Sequence, residues 1–191
     1  MPPLIKIQRN DIINKAFELL KAEGIDSINA RRIANSLNCS VQPIFSNFKN
    51  MDDLKSCVLN KVEEYFYNFI SNLFDDSIPK YKQVGINYIK FAKEEPILFK
   101  ILFLEKNNSN KSLLESDTES FKIIKSFIAS STKLDKADVD DFHFQMWIFT
   151  HGLACLVASS NYKLSDDDIS KLLSKQFHAL MLLNNDRKEE K

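Results

Sequence analysis

The stretch CSVQPIFSNF, Cys39 to Phe48, holds the side chains best suited to act on a partner molecule. Gln42 carries a carbonyl and an amino group on one planar amide, so it can form two hydrogen bonds with the N6/N7 edge of adenine. Val41 and Pro43 beside it offer small apolar surfaces of the kind that press on a thymine methyl. Ser46 and Asn47 add short hydrogen-bonding groups, and no acid, base or histidine interrupts residues 39–48. Proton transfer and nucleophilic attack fit this composition poorly. Non-covalent reading of base edges fits it well. Upstream, Asn29, Arg31 and Arg32 stand at the start of an expected helix, where backbone N–H groups and positive charge meet a phosphate.

The rest of the chain supplies little else that is reactive. No nucleophile–base pair, paired-carboxylate cluster or phosphate-cradling glycine loop is visible, so an enzyme is not expected. Cys39, Cys57 and Cys155 are an odd number without CxxC spacing, read as buried thiols in a reducing compartment. His143, His151 and His178 match no zinc-ligand spacing, and neither a metal nor a cofactor is expected. The longest apolar region, Met146 to Ala158, is too short to span a bilayer, and the opening MPPLIKIQRN lacks a signal-peptide core. A cytoplasmic protein without a membrane partner is the expectation. The 26 basic and 26 acidic side chains cancel, but unevenly. Residues 1–61 carry nine bases against six acids, net +3, and the remainder is −3, compatible with a front that touches a polyanion.

Three glycines and five prolines in 191 residues leave few turns, and sustained β-alternation is absent, which predicts an all-α fold of about nine helices. Ile12, Ile13, Ala16, Phe17, Leu19 and Leu20 form the apolar face of a first helix, about Asn10 to Glu23. Gly24 follows where a positive φ is needed. Asn29 caps a second helix with Ala30, Ile33, Ala34 and Leu37 on one face. Asn38 makes the sharp turn, and Ser40 is expected to cap a third helix with Pro43 in its first turn. Ile44 and Phe48 then point inward, leaving Val41, Gln42, Ser46 and Asn47 outward: a helix-turn-helix whose second member enters a major groove. A fourth helix is expected from Met51 to Leu73, others from Pro79 to Lys93, Pro96 to Leu104 and Leu113 to Ser131, with EKNNSNKS (Glu105 to Ser112) as a polar loop. Asp138 to Ser159 is apolar on nearly every side, which implies burial on several faces. Ser165, with Asp168 three residues on, caps the last helix in a capping-box arrangement. The organisation predicted is a DNA-binding domain over 1–50, a helical domain over 51–185 and a polar tail over 186–191.

IINKAFELLKAEGIDSINARRIANSLNCSVQPIFSNFKNMDDL, Ile12 to Leu54, resembles the TetR/AcrR family of one-component transcriptional regulators. The likeness is carried by Ala16, Leu19, Leu20, Gly24, Ile33, Ala34, Ser40, Phe45, Phe48 and Leu54. YIKFAKEEPILFKILF (Tyr88 to Phe103) and MWIFTHGLACLV (Met146 to Val157) are similar to a ligand-domain subgroup with a Trp…His-Gly signature. Asn38 stands where the family usually has glycine, Phe45 where it has tyrosine and Met51 where it has lysine. Phe45 keeps the packing and loses the tyrosine's phosphate bond, while Lys49 or Lys55 substitutes as the backbone clamp. The resemblance implies a small-molecule effector cavity in the rear bundle, with Tyr65, Tyr88, Phe91, Phe103, Trp147 and His151 as candidate lining. An imidazole on an apolar helix must be hydrogen-bonded, and a ligand is one partner it could have. The last two helices, about 138–160 and 166–183, would pair with a second copy in a four-helix, two-fold interface. The function implied is a repressor that binds a palindromic operator as a homodimer and is released by an effector. The alternative is an all-helical small-molecule-binding protein or enzyme with a vestigial helix-turn-helix.

Overall fold

The computed structural model describes residues 7–72, 75–105, 119–132, 134–159 and 162–189, and the described residues are helical, with no strand among them. Helix α1 (Arg9–Glu23) begins at Gln8, whose N–H donates to the Asp11 carboxylate at 2.9 Å, placing negative charge at the positive end of the helix. Ile12, Ala16 and Leu20 are fully buried along its inner stripe. Gly24 ends it at φ 87°, ψ −177°, a backbone region open essentially to glycine alone. A 3-10 turn (Ile25–Ser27) leads to α2 (Ala30–Ser36), where the Asn29 side chain accepts from the Arg32 N–H at 3.0 Å. Asn38 sits at φ 52°, so the turn uses the left-handed residue that the sequence led us to expect.

Helix α3 (Gln42–Asn47) corrects one expectation. Its cap position is Val41, not Ser40, and no side chain caps it. Were Ser40 the cap, the third helical position would be Pro43, which has no N–H to give the serine hydroxyl. Helix α4 (Met51–Ile70) is capped by Asn50, whose Oδ1 accepts from the Asp53 N–H at 2.9 Å. Leu54, Val58, Val62, Phe66 and Ile70 are buried at four-residue spacing along it. Helix α6 (Pro96–Phe103) follows α5 (Lys80–Glu94), and α7 (Glu119–Ser131), α8 (Lys136–Ala158) and α9 (Asp166–Glu189) complete the described chain. The expected polar loop beyond Glu105 and residues 113–118 of the expected seventh helix lie outside the described residues. The tail expected from residue 186 is helical to Glu189 instead. No glycine, proline or β-branched residue occurs from Leu182 to Glu189 to stop the last helix.

The chain divides into two compact units: residues 1–66 with 97–109, and residues 67–96 with 110–191. In the first, α1, α2 and α3 bury Ile12, Ala16, Leu20, Ile33, Ile44 and Phe48. In the second, α5 and α8 are joined by two Tyr–His rungs. The Tyr81 hydroxyl lies 3.0 Å from His143 Nδ1, and the Tyr88 hydroxyl lies 2.9 Å from His151 Nδ1. Seven residues on α5 match eight on α8, about two turns of each, so the two helices run in the same direction. Gly85, between the rungs, admits α9: a Cβ there would stand 3.3 Å from Leu173 Cδ1. Phe142 meets Phe177 edge-on at 5.3 Å in the same layer. The capping box of α9 is formed as expected, with Asp168 N–H donating to Ser165 Oγ at 3.1 Å and Ser165 N–H to Asp168 Oδ2 at 3.2 Å.

Two outcomes follow from these local features. Asn38→Val should lower stability by about 1–2 kcal/mol because a β-branched residue opposes a positive φ, whereas Asn38→Gly should be neutral or stabilising; urea melts measure both. Burial, with Lys125 adding and Asp140 opposing, pushes the His143 pKa down to about 4. A free histidine takes its proton near pH ~6.5. Between these values the unfolded chain binds a proton that the folded chain refuses, so stability falls as pH drops, by roughly 3 kcal/mol at most. Melts of His143→Gln across this window should show a shallower decline.

Candidate nucleic-acid interface

A six-residue helix divides its faces sharply. Ile44 is fully buried and Phe48 nearly so, while Val41 is 39% exposed and Phe45 53% exposed. Val41 and Phe45, four apart, form an apolar row, and exposed Gln42 and Ser46 form a second row beside it. The Ser46 hydroxyl donates to the Gln42 carbonyl at 2.9 Å, and the Asn47 amide to the Pro43 carbonyl at 2.7 Å. Both side chains thus spend a proton on the helix itself. The exposed Gln42 amide makes no side-chain hydrogen bond among the described residues and keeps its donors and acceptor available together. Ser40 is exposed before the helix and Pro43 half-buried within it. The large exposure of Phe45 corrects the expectation that it serves packing.

The residue that fixes α3 carried no sequence signal beyond its charge. Arg9, at the start of α1, donates to the Asn47 carbonyl at the end of α3 and to Cys57 Sγ on α4 at 3.0 Å. Its guanidinium lies 4.1 Å from the centre of the Phe48 ring, and Asp53 is 3.8 Å away. A planar cation stacked on a ring while donating in-plane is an arginine geometry that lysine cannot reproduce. Partners 38 and 48 residues distant are invisible to periodicity.

The charged candidates occupy the flanks. Arg31 is exposed and makes no hydrogen bond or ion pair among the described residues. Arg32 donates to both Glu23 oxygens at 2.6 Å, and Asn29 spends its side-chain oxygen on the α2 cap. Lys49 is exposed, with its backbone N–H given to Asp53, and Lys55 is half-buried. Asp52 and Asp53 in the first turn of α4 suit the helix dipole but repel a phosphate there.

The six effector candidates fall into both units. Tyr65 accepts from Lys21 Nζ at 3.1 Å and meets Phe17 edge-on, and Phe103 packs on Phe66 and Phe99; these belong to the first unit. Phe91 is fully buried against Phe69 in the second. Tyr88, Trp147 and His151 are brought together there. The Trp147 ring stacks on His151 at 4.8 Å and 10°, and Cys155 Sγ lies 3.5 Å from His151 Nε2. Burial raises the Tyr88 hydroxyl pKa and lowers that of His151, so the hydrogen bond joins a neutral phenol to a neutral imidazole. The Cys155 contact and the Tyr81–His143 pair were not foreseen from the sequence, although histidines on an apolar helix signal a required partner. The thiols, expected to be buried, are all half-exposed.

The division of α3 into anchors and outer face predicts a sharp contrast in stability. Ile44→Ala should cost about 2–5 kcal/mol and Phe45→Ala within about 0.5 kcal/mol. Arg9→Lys should cost about 1–3 kcal/mol by losing hydrogen bonds from a charged donor. Equal costs for Ile44→Ala and Phe45→Ala in urea melts would contradict the assignment.

No helix among the described residues is long and apolar enough to cross a membrane. Residues 81–180 match the family described as tetracyclin repressor-like, C-terminal domain. No sequence relative is found among curated proteins. The fold is similar to that of a TetR-family transcriptional regulator from Haemophilus influenzae RD, with TM-score 0.62 and 17% identity over 89% of this chain and 94% of that one. It is similar also to a TetR-like transcriptional regulator from Rhodococcus sp. RHA1, with TM-score 0.58 and 12% identity over 93% of this chain and 96% of that one. The match over more than half of the chain, on an all-helical frame with an N-terminal helix-turn-helix, means that this protein belongs to the TetR family of transcriptional regulators.

Proposed function

We propose that the chain is a ligand-responsive repressor that binds a palindromic DNA operator as a homodimer. The observation that carries the reading is the outer face of α3, uncharged, half apolar and half hydrogen-bonding, on a helix whose inner residues are locked. In this reading residues 1–50 read DNA, with Gln42 on base edges, Val41, Pro43 and Phe45 as apolar contacts and Ser40, Ser46 and Asn47 beside them. Arg31, Lys49 and Lys55 steer and hold phosphates, and Asn29 and Arg32 join them at the α2 terminus.

Residues 51–185 serve pairing and effector binding. Phe144, Ile148 and Leu156 on α8 are about half exposed, and with Gly152, where nothing stands within 4 Å of a Cβ, they make a row at four-residue spacing. Leu182 and Leu183 on α9 are 64% and 57% exposed. A two-fold four-helix contact covers such surfaces and sets two reading heads about one helical turn apart. Tyr88, Trp147 and His151 are the polar and aromatic group that an effector would engage. Helix α4, with residues 51–66 in one unit and 67–70 in the other, is a covalent link through which the effector would favour one of two arrangements.

Light scattering with fluorescence anisotropy on the protein's own upstream DNA tests this reading. The wild type should be a dimer at micromolar concentration, with affinity falling steeply with salt. Ile148→Glu should give monomers that lose the operator. Gln42→Ala should remain dimeric and lose roughly 1–3 kcal/mol of specific binding. A wild-type monomer, or affinity indifferent to salt, contradicts it.

A further inference from the structure

We infer that the half-site read by α3 is built of A·T pairs, and that Phe45 and Val41 recognise it through thymine C5-methyl groups. The inference rests on the reading that α3 docks on duplex DNA, and it names the class of sequence docked. In the major groove, guanine is recognised chiefly by arginine or lysine at O6/N7, and cytosine by a carboxylate at N4. Residues 39–48 hold no such group. Of the nearby cations, Arg9 holds the Asn47 carbonyl, Arg32 pairs with Glu23, Lys49 stands beyond the end of α3, and the exposed Arg31 belongs to α2 and not to α3.

What α3 does present matches adenine and thymine. The Gln42 amide, with both functions available, suits the N7 acceptor and N6 amino donor of adenine. The apolar row of Val41 and Phe45 lies one residue round the helix. Phe45 is 53% exposed, a large ring half in water, whereas Phe48 just beyond the helix is buried. The thymine methyl is the one apolar group that a base pair displays in the major groove. A bidentate amide beside a methyl-accepting row therefore reads successive A·T pairs. The Ser46 hydroxyl, its proton given to the Gln42 carbonyl, keeps acceptor lone pairs that do not separate adenine from cytosine.

The test is selection of duplexes from a random library with the full chain, followed by titration of the selected duplex and of a copy with uracil replacing thymine in the half-sites. Half-sites dominated by A·T are expected. Uracil should weaken binding about fourfold per contacted methyl. Phe45→Ala and Phe45→Leu, each verified as folded by circular dichroism, should bind more weakly, and Phe45→Ala should respond less to uracil. Gln42→Ala should relax the choice at one adenine by roughly 5- to 150-fold. Half-sites led by G·C, a uracil copy bound as tightly as the original, or a Phe45→Ala variant with undiminished uracil sensitivity would each overturn the inference. So would a Phe45-dependent association of the chain with itself that excludes DNA. Failure to select any sequence would instead remove the DNA-binding reading beneath it.

Discussion

A six-residue helix cannot hold itself in place. Nucleating one turn in water is unfavourable, and isolated helices shorter than about a dozen residues are marginal. Helix α3 therefore exists because the molecule around it holds its inner face and its C-terminal end. Ile44 is sunk among the side chains of the first unit, Phe48 closes the C-terminal end, and the Arg9 guanidinium lies on the Phe48 ring while donating to the last α3 carbonyl. One cation thereby ties together the starts of α1 and α4 and the end of α3.

In the proposed reading the pinning matters, because base reading is a problem of position. A bidentate amide discriminates only when its plane meets the base edge, and a loose rod would spend that discrimination on ordering itself. With its inner face fixed, α3 can devote four exposed side chains to a partner. Charge is placed elsewhere: Arg31 and Lys49 are exposed on the flanks, and the acidic first turn of α4 would turn a phosphate away from that helix terminus. In the proposed reading position and attraction are thus carried by different residues, which lets recognition be chemically sparse.

Local chemistry was legible in the sequence. Gly24 and Asn38 take the positive φ that their types allow, and Ser165 with Asp168 forms its box, because each depends on residues within four positions. The Ser40 cap failed for an equally local reason, since Pro43 removes the N–H that it needed. The rest was hidden by distance along the chain. Arg9 meets Asn47 and Cys57 only after α1 and α4 pack, and the Tyr81–His143 and Tyr88–His151 rungs join residues more than sixty positions apart. Apolar patterning on α8 announced burial on several faces, yet Phe144, Ile148 and Leu156 are about half exposed in the single chain. Periodicity tells that a surface needs cover and is silent on whether the same molecule supplies it.

The central claim is that the outer face of α3 lies in the major groove of duplex DNA. Photo-cross-linking to a bound duplex that carries 5-iodouracil at single thymine positions tests it directly, because the reactive iodine takes the place of the groove-facing methyl. The account predicts that the cross-linked peptide contains residues 41–46, with Phe45 as the modified side chain. Cross-links confined to another surface, or none at saturating duplex, would contradict it.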